Sequence, residues 1–157
     1  MTKKSLFYSP LFYETGISVV RMAVGLLLVY HGWEVFDSEK MKVYLDWDSF
    51  KKYSSPSFMV YLGKSLELTG GFLLAIGLLT RVACGIIIIT MLYITFAVGS
   101  GKIWYDDQHP FLFVLLAIVF FVAGPGKWSI DHSIFNPWGS MSSKTPLVEK
   151  SNKSTSE

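Results

Sequence analysis

The stretch FMVYLGKSLELTGGFLLAIGLL, at residues 58–79, decides the fold of this chain. It is long enough to cross a bilayer, because a spanning helix takes roughly 20 mainly apolar residues. Its only charged residues are Lys64 and Glu67, three positions apart. Charge is costly in hydrocarbon, so two charged side chains inside a spanning helix point to a purpose beyond packing. These residues are the first candidates for a functional site.

Three more apolar segments, residues 17–33, 82–98 and 111–123, accompany this one. Only 17% of the 157 residues are charged, whereas an ordinary soluble domain carries about 25%. The connection at residues 80–81 is so short that the helices on either side of it must be antiparallel neighbours. We therefore predict an all-α protein, a transmembrane antiparallel four-helix bundle that contacts the lipid bilayer.

The bundle is predicted to form one domain over residues 1–139. Residues 140–157 are rich in Ser, Lys and Thr, and we expect them to form a disordered polar tail. The fourth apolar segment is short for a span and reaches bilayer length only if its helix begins near Asp107. The charged and aromatic residues 37–56 cannot span, and we expect a short amphipathic helix along the membrane interface.

Charge and composition exclude several classes of protein. The net charge is +2, the lysines are scattered and the only arginines are Arg21 and Arg81, so no nucleic-acid-binding surface is indicated. The single cysteine, Cys84, excludes an intrachain disulfide and a CxxC redox pair. The distribution of Lys and Arg among the loops predicts a multi-pass protein of the bacterial inner membrane with both termini in the cytoplasm.

Six polar residues cluster at the outer ends of three predicted helices. A rise of about 1.5 Å per residue places two histidines and a lysine at the same height, with Glu67 one turn deeper. Exposure to lipid would be costly for all of them, so we predict that they face one another inside the bundle. The predicted cluster contains His31, Glu34, Lys64, Glu67, Gln108 and His109.

Several interpretations of this cluster stay open. Lys64 and Glu67 are spaced for an intrahelical ion pair that only neutralises itself, and the histidines suit hydrogen bonds to backbone or water. The ligand types would suit a metal, but the spacing matches no known motif, and we predict no metal site. Donors and acceptors beside an apolar groove would also suit a quinone head group.

Arg21 lies lower, only about 9 Å above the inner end of the first helix. We expect it to snorkel to the inner headgroups or to find an inner-side partner such as Asp131; a stretched contact with Glu67 is a further option. We predict the same kind of structural role, an ion pair or contact with the headgroups, for Arg81 at the inner turn and for Asp131. Three glycines spaced by seven residues in the second helix predict one face for close helix packing; they are Gly63, Gly70 and Gly77.

Four motifs in this order resemble the DoxX family of four-helix membrane proteins, over residues 19–131. They are RMAVG at 21–25 with His31-Gly32, GKSLEL at 63–68 with Gly70-Gly71, GLLTR at 77–81, and GPGKWSID at 124–131. The resemblance implies the four-helix membrane fold and, for some relatives, redox partners and responses to thiol stress. The family name refers to a thiosulfate:quinone oxidoreductase, and it implies no catalytic residue.

The chain departs from that family at Val35, where members often carry a lysine three residues beyond the His-Gly pair. Lys64 is our hypothesis for the replacement cation. We predict an accessory or quinone-interacting subunit of a membrane redox system, with a larger membrane or redox protein complex as its expected partner. No flavin, haem or iron–sulfur motif is visible, so the expected cofactor is a quinone and electrons would come from a partner.

The alternative function is a non-enzymatic membrane scaffold or assembly factor that docks a partner protein. In that case the ionic residues would only hold the bundle together, and whether the chain is an enzyme stays open. A transporter function is less well supported, because four helices without an internal repeat are poorly suited to an alternating-access mechanism.

Overall fold

The computed structural model describes residues 13–135, which form helices joined by turns and contain no strand. The helices are α1 (Tyr13–Gly32), α2 (Ser38–Leu45), α3 (Asp48–Lys51), α4 (Pro56–Ile76), α5 (Thr80–Tyr93), α6 (Gln108–Ala123) and α7 (Ile130–Phe135). A 3-10 turn, Trp33–Phe36, continues α1, and a π-helical turn, Ile94–Val98, continues α5. The predicted all-α class is confirmed, whereas the predicted tail at residues 140–157 lies outside the described residues.

Three helices are long and apolar enough to cross a membrane. With their continuations they run over Tyr13–Phe36, Pro56–Ile76 and Thr80–Val98. The fourth, α6, is equally apolar but has only 16 residues. It begins at Gln108, next to Asp107 as we predicted, and is still shorter than the roughly 20 residues of a typical span. The outward side chains of these helices are largely apolar, as expected for a helical bundle in contact with lipid.

α1 and α4 pack as an antiparallel pair at very short distance. Gly25 lies against Ala75 and Gly71, and about two turns later Gly32 lies against Leu68. A Cβ atom on Gly25 would lie 2.6 Å from the Cα of Ala75 and 2.8 Å from the carbonyl oxygen of Gly71. Only glycine permits this approach, which is the usual role of small residues between membrane helices.

The predicted glycine face on α4 is wrong. Gly70 and Gly77 meet different helices: the Ile87 side chain of α5 lies 3.0 Å from the position of a Cβ atom on Gly70, and the guanidinium carbon of Arg21 of α1 lies 2.8 Å from that on Gly77. Gly63 has nothing within 4 Å of the corresponding position. Gly77 ends α4 in the left-handed conformation, with φ of 70°, which favours glycine at a helix end.

The main apolar core lies between α4, α5 and α6, with α1 closing one side. Leu74, Ile87, Met91 and Phe120 are almost fully buried in it. α4 and α5 are joined by a tight turn, and α5 packs along α6. The bundle therefore has two ends of different character. The Arg21 end comprises the start of α1, the α4–α5 turn and the end of α6. The opposite end comprises the end of α1, the starts of α4 and α6 and the end of α5; it holds a cavity, described below, and is called the cavity end.

The segment between α1 and α4 folds into two short helices over the cavity end. Asp37 caps α2, accepting hydrogen bonds from the backbone N–H groups of Glu39 (3.1 Å) and Lys40 (3.2 Å). Met41 of α2 and Phe50 of α3 are buried against α4. In place of the single short amphipathic helix that we predicted along the membrane interface, the segment contains two helices, and they pack on the end of the bundle.

Candidate functional site

A cavity of about 190 Å³ lies at the cavity end, below α2 and α3. Apolar and aromatic side chains form most of its wall, among them Phe50, Met59, Met91 and Phe113. Trp47 and His109, which are exposed, also line it, so its mouth reaches the surface. The polar groups in the wall are His31, Tyr44, Lys64, Glu67, Tyr93 and His109.

Lys64 occupies the centre of the polar wall. Its ammonium nitrogen lies 3.0 Å from Glu34 Oε2 and 3.1 Å from Glu67 Oε2, and it donates a hydrogen bond to the carbonyl oxygen of His31 (3.3 Å). It also lies 4.9 Å from the centre of the Tyr44 ring, within the range of a cation–π contact. One lysine therefore joins α1, α2 and α4.

Glu34 connects this group to the surface. It accepts hydrogen bonds from the Tyr44 hydroxyl (2.6 Å) and from Lys40 Nζ (2.9 Å), besides its contact with Lys64. Its hydrogen bond raises the pKa of Lys40. Burial and the same carboxylate raise the pKa of Tyr44. Lys40 and Tyr44 are thus protonated at neutral pH, and both donate hydrogen bonds to Glu34.

Glu67 is the deepest carboxylate of the group, and only 7% of its surface is exposed. Its buried Oε2 atom forms a salt bridge with Lys64 Nζ (3.1 Å) and has no other donor within residues 13–135. Lys40, Lys64, Glu34 and Glu67 carry two positive and two negative formal charges. This polar cluster is therefore neutral as a whole.

The two histidines of the predicted cluster meet in the wall of the cavity. The ring centres of His31 and His109 are 5.3 Å apart in an edge-to-face arrangement, and His109 makes a similar contact with Phe113 at 5.0 Å. Because they come from α1 and α6, their contact spans the bundle. Neutral imidazole offers one donor and one acceptor, so the pair could meet a ligand oxygen of either kind.

Five of the six predicted cluster residues do come together at the cavity end. The exception is Gln108, which is exposed at the start of α6 and does not line the cavity. The sequence prediction also missed two members, Tyr44 and Tyr93. Tyr93 precedes the π-helical turn, a feature often found at functional sites, and its buried hydroxyl has no hydrogen-bond partner in the described residues. The aromatic residues of the α2–α3 segment were the available signal for Tyr44.

Arg21 does not snorkel to the headgroups. It is fully buried and donates hydrogen bonds to the carbonyl oxygens of Trp128 (2.7 Å), Pro125 (2.9 Å) and Ala75 (3.0 Å), and to that of Leu74. These oxygens belong to the end of α4 and to the loop after α6. The guanidinium therefore ties α1 to the GPGKWSID segment.

The salt bridge predicted between Arg21 and Asp131 is not formed, and within residues 13–135 Arg81 forms none either. The Asp131 carboxylate accepts hydrogen bonds from the backbone N–H groups of Leu79 (2.7 Å) and Thr80 (2.8 Å) at the start of α5. Arg81 is exposed. The GLLTR and GPGKWSID motifs thus meet through backbone hydrogen bonds, and their role here is structural.

Comparison with known proteins agrees with this architecture. A family model described as DoxX matches residues 16–100. A protein of Bacillus subtilis (strain 168), named "Putative oxidoreductase CatD", is 24% identical over 124 residues, which cover 78% of this chain and 90% of that protein. No solved structure matches the chain. Because the family model covers more than half of it, this membrane helical bundle belongs to the DoxX family.

Proposed function

We propose that this DoxX-family chain is a redox-associated membrane protein that binds the head group of a quinone at the cavity end. The observation that carries the proposal is the cavity, which combines a mostly apolar wall with several polar groups. Ligand sites commonly have this composition. An engineered cavity of about 150 Å³ can hold benzene, so a space of about 190 Å³ suits one substituted ring.

The wall offers a role for each kind of group in such a ligand. Phe113 and Phe50 would contact the faces of the ring, and His31 and His109 would hydrogen-bond its oxygens. An isoprenoid tail would leave through the mouth of the cavity towards the lipid. The name of the Bacillus subtilis relative, a putative oxidoreductase, supports a redox role in a general way. A partner protein in a larger complex would supply or remove the electrons.

The test is ligand binding by the purified full-length protein in lipid nanodiscs. Decylubiquinone is titrated while tryptophan fluorescence is recorded, because Trp47 lines the cavity. We expect saturable quenching, and we expect His109→Ala to weaken binding about tenfold through loss of a hydrogen bond and of ring contacts. His132→Ala is the matched control, since His132 lies in α7 at the Arg21 end. Quenching that never saturates, or equal effects of the two variants, would refute the proposal.

We also propose that the chain lies in the bacterial inner membrane with its cavity end towards the periplasm. The bias of Lys and Arg in the loops supports this orientation. In this arrangement Glu34 and Lys40 would lie at the outer interface, and the Arg21 end would face the cytoplasm.

A further inference from the structure

Gly63 lies inside α4, where neither packing nor backbone conformation requires a glycine. Among residues 13–135, no heavy atom beyond the adjoining helix backbone lies within 4 Å of the position of a Cβ atom on Gly63, whereas Gly25 and Gly32 lie against the backbone of α4. Gly63 is in ordinary α-helix without a positive φ, a conformation that any residue with a side chain adopts readily. Glycine is less favourable than alanine inside a helix, so its presence here points to a different requirement.

Gly63 is on the face of α4 that lines the cavity. The residues of α4 in the cavity wall are Met59, Val60, Gly63, Lys64 and Glu67. At about 100° of rotation per residue, these five positions occupy an arc of about 140° around the helix. Gly63 lies inside that arc, with Met59 on one side and Glu67 on the other. A side chain at this position would therefore point into the cavity.

The open space at Gly63 is part of the cavity itself. Two other helical glycines, Gly16 and Gly85, also have open space at the position of a Cβ atom, but neither belongs to the cavity wall that residues 13–135 form. Glycine suits a wall where a ligand approaches the backbone closely, because it has no side chain to hold the ligand away. In a cavity of about 190 Å³, an added side chain would take room that a substituted ring needs.

We infer that Gly63 sets the width of the ligand site, and that one edge of the quinone ring lies against the bare backbone of α4 at this residue. This inference rests on the proposed quinone site and adds the residue that determines which ligands fit. The wall beside Gly63 does not move aside easily, because the Lys64 ammonium is held by Glu34 at 3.0 Å and by Glu67 at 3.1 Å. Extra atoms in a filled site are unfavourable, so a larger residue at position 63 would compete with the ring for the same space.

The experiment measures decylubiquinone binding to the full chain in nanodiscs through the fluorescence of Trp47, which lines the cavity, with residue 63 enlarged in two steps. Gly63→Ala should raise the Kd about tenfold, as one methyl group without room in a pocket does, and Gly63→Leu should abolish saturable binding. The matched controls are Gly85→Ala and Gly85→Leu, since Gly85 is also a half-buried helical glycine with open space but lies outside the cavity wall. Both controls should bind within about twofold of the wild type.

Unfolding measurements separate a blocked site from a damaged fold. Gly63→Ala should unfold at a denaturant concentration equal to or higher than that of the wild type, because alanine stabilises a helix interior relative to glycine. Wild-type affinity in folded Gly63→Leu, or in Gly63→Ala if the leucine variant does not fold, would overturn the inference and leave the proposed quinone site standing. An equal loss of binding in the Gly85 variants would also overturn it. If the wild type itself shows no saturable binding, both proposals fail.

Discussion

Arg21 and Lys64 are both cations inside apolar helices, and their charges are stabilised in different ways. Lys64 meets two carboxylates beside a cavity. Arg21 meets only carbonyl oxygens, two of which end α4, where the helix dipole is negative. A planar guanidinium with five donors can satisfy four such oxygens at once, which an ammonium group cannot. Arg21 is therefore a structural residue, whereas Lys64 shapes a site.

Replacing Arg21 by Ala should destabilise the protein strongly. The variant loses four hydrogen bonds from a charged donor and leaves four carbonyl oxygens without that partner. We expect the free energy of unfolding to fall by at least about 3 kcal/mol. Denaturant unfolding in detergent micelles, followed by circular dichroism, measures this change.

The matched control is Arg81→Ala, which removes an exposed arginine from the α4–α5 turn. It should alter the free energy of unfolding by no more than about 0.5 kcal/mol. Equal stability of the two variants would show that the carbonyl contacts of Arg21 contribute nothing. Arg21→Lys should fall between them, because lysine has fewer donors.

At the scale of elements, α5 depends on a cap that comes from far along the chain. Its first N–H groups have no partner within the helix, as in every α-helix. Asp131 of α7 supplies the acceptor for those of Leu79 and Thr80. Leu79 itself is in the left-handed conformation, with φ of 48°, which is uncommon for a residue with a side chain. The α7 segment thus holds the α4–α5 turn in place.

Asp131→Asn should make the protein less stable at neutral pH by about 1 kcal/mol, because the amide keeps only one of the two acceptor oxygens and loses the negative charge that favours a helix N-terminus. Burial by itself raises the pKa of Asp131, but the hydrogen bonds from Thr80 and Leu79 and the charge of Arg21 outweigh it. The pKa therefore lies below its ordinary value of 3.8. A lowered pKa in the folded state means that stability is present above pH 3.8 and is lost as the pH falls through the folded value.

The measurement is denaturant unfolding of wild type and Asp131→Asn at neutral pH and at about pH 3. We expect the difference between them to shrink at the lower pH, because only the wild type loses a carboxylate interaction there. Asp48→Asn is the control: the Asp48 side chain is almost fully exposed, so its replacement should have little effect at either pH. A difference that does not change with pH would contradict the assigned role of Asp131.

At the scale of the whole molecule, the two ends of the bundle have separate roles. The Arg21 end is held by hydrogen bonds between α1, α4, α5 and the segment after α6. The cavity end keeps space between the helices, and only short helices cover it. A ligand that binds at the cavity end would leave the hydrogen bonds at the Arg21 end undisturbed.

The proposed orientation predicts the outcome of reporter fusions in bacterial cells. Alkaline phosphatase fused after Glu157 should be inactive and green fluorescent protein at the same place should be fluorescent, because the carboxyl terminus is expected in the cytoplasm. Phosphatase inserted in the loop between α5 and α6 should be active. The reverse pattern, at comparable expression, would show that the cavity faces the cytoplasm.

Element positions and the height of the polar groups followed from the sequence. Apolar segments between turn residues located α1, α4, α5 and α6, and α4 begins two residues before the apolar segment 58–79. Helical rise is constant, so residue counts alone brought His31, Lys64 and His109 to one level. This is why most of the cluster could be named before any coordinates were known.

Tertiary structure decided which way each helix faces and what each buried charge contacts. A helix in lipid is apolar on every side, so its pattern does not mark the inner face, and the glycine face on α4 was therefore placed wrongly. The partners of Arg21 are backbone carbonyl oxygens, which every residue type carries and no motif reveals. Tyr44 reaches the cavity only because α2 folds over it, and Tyr93 only because α5 packs between α4 and α6. Helix length and depth are local properties of a sequence, whereas helix rotation and hydrogen-bond partners depend on the whole packed bundle.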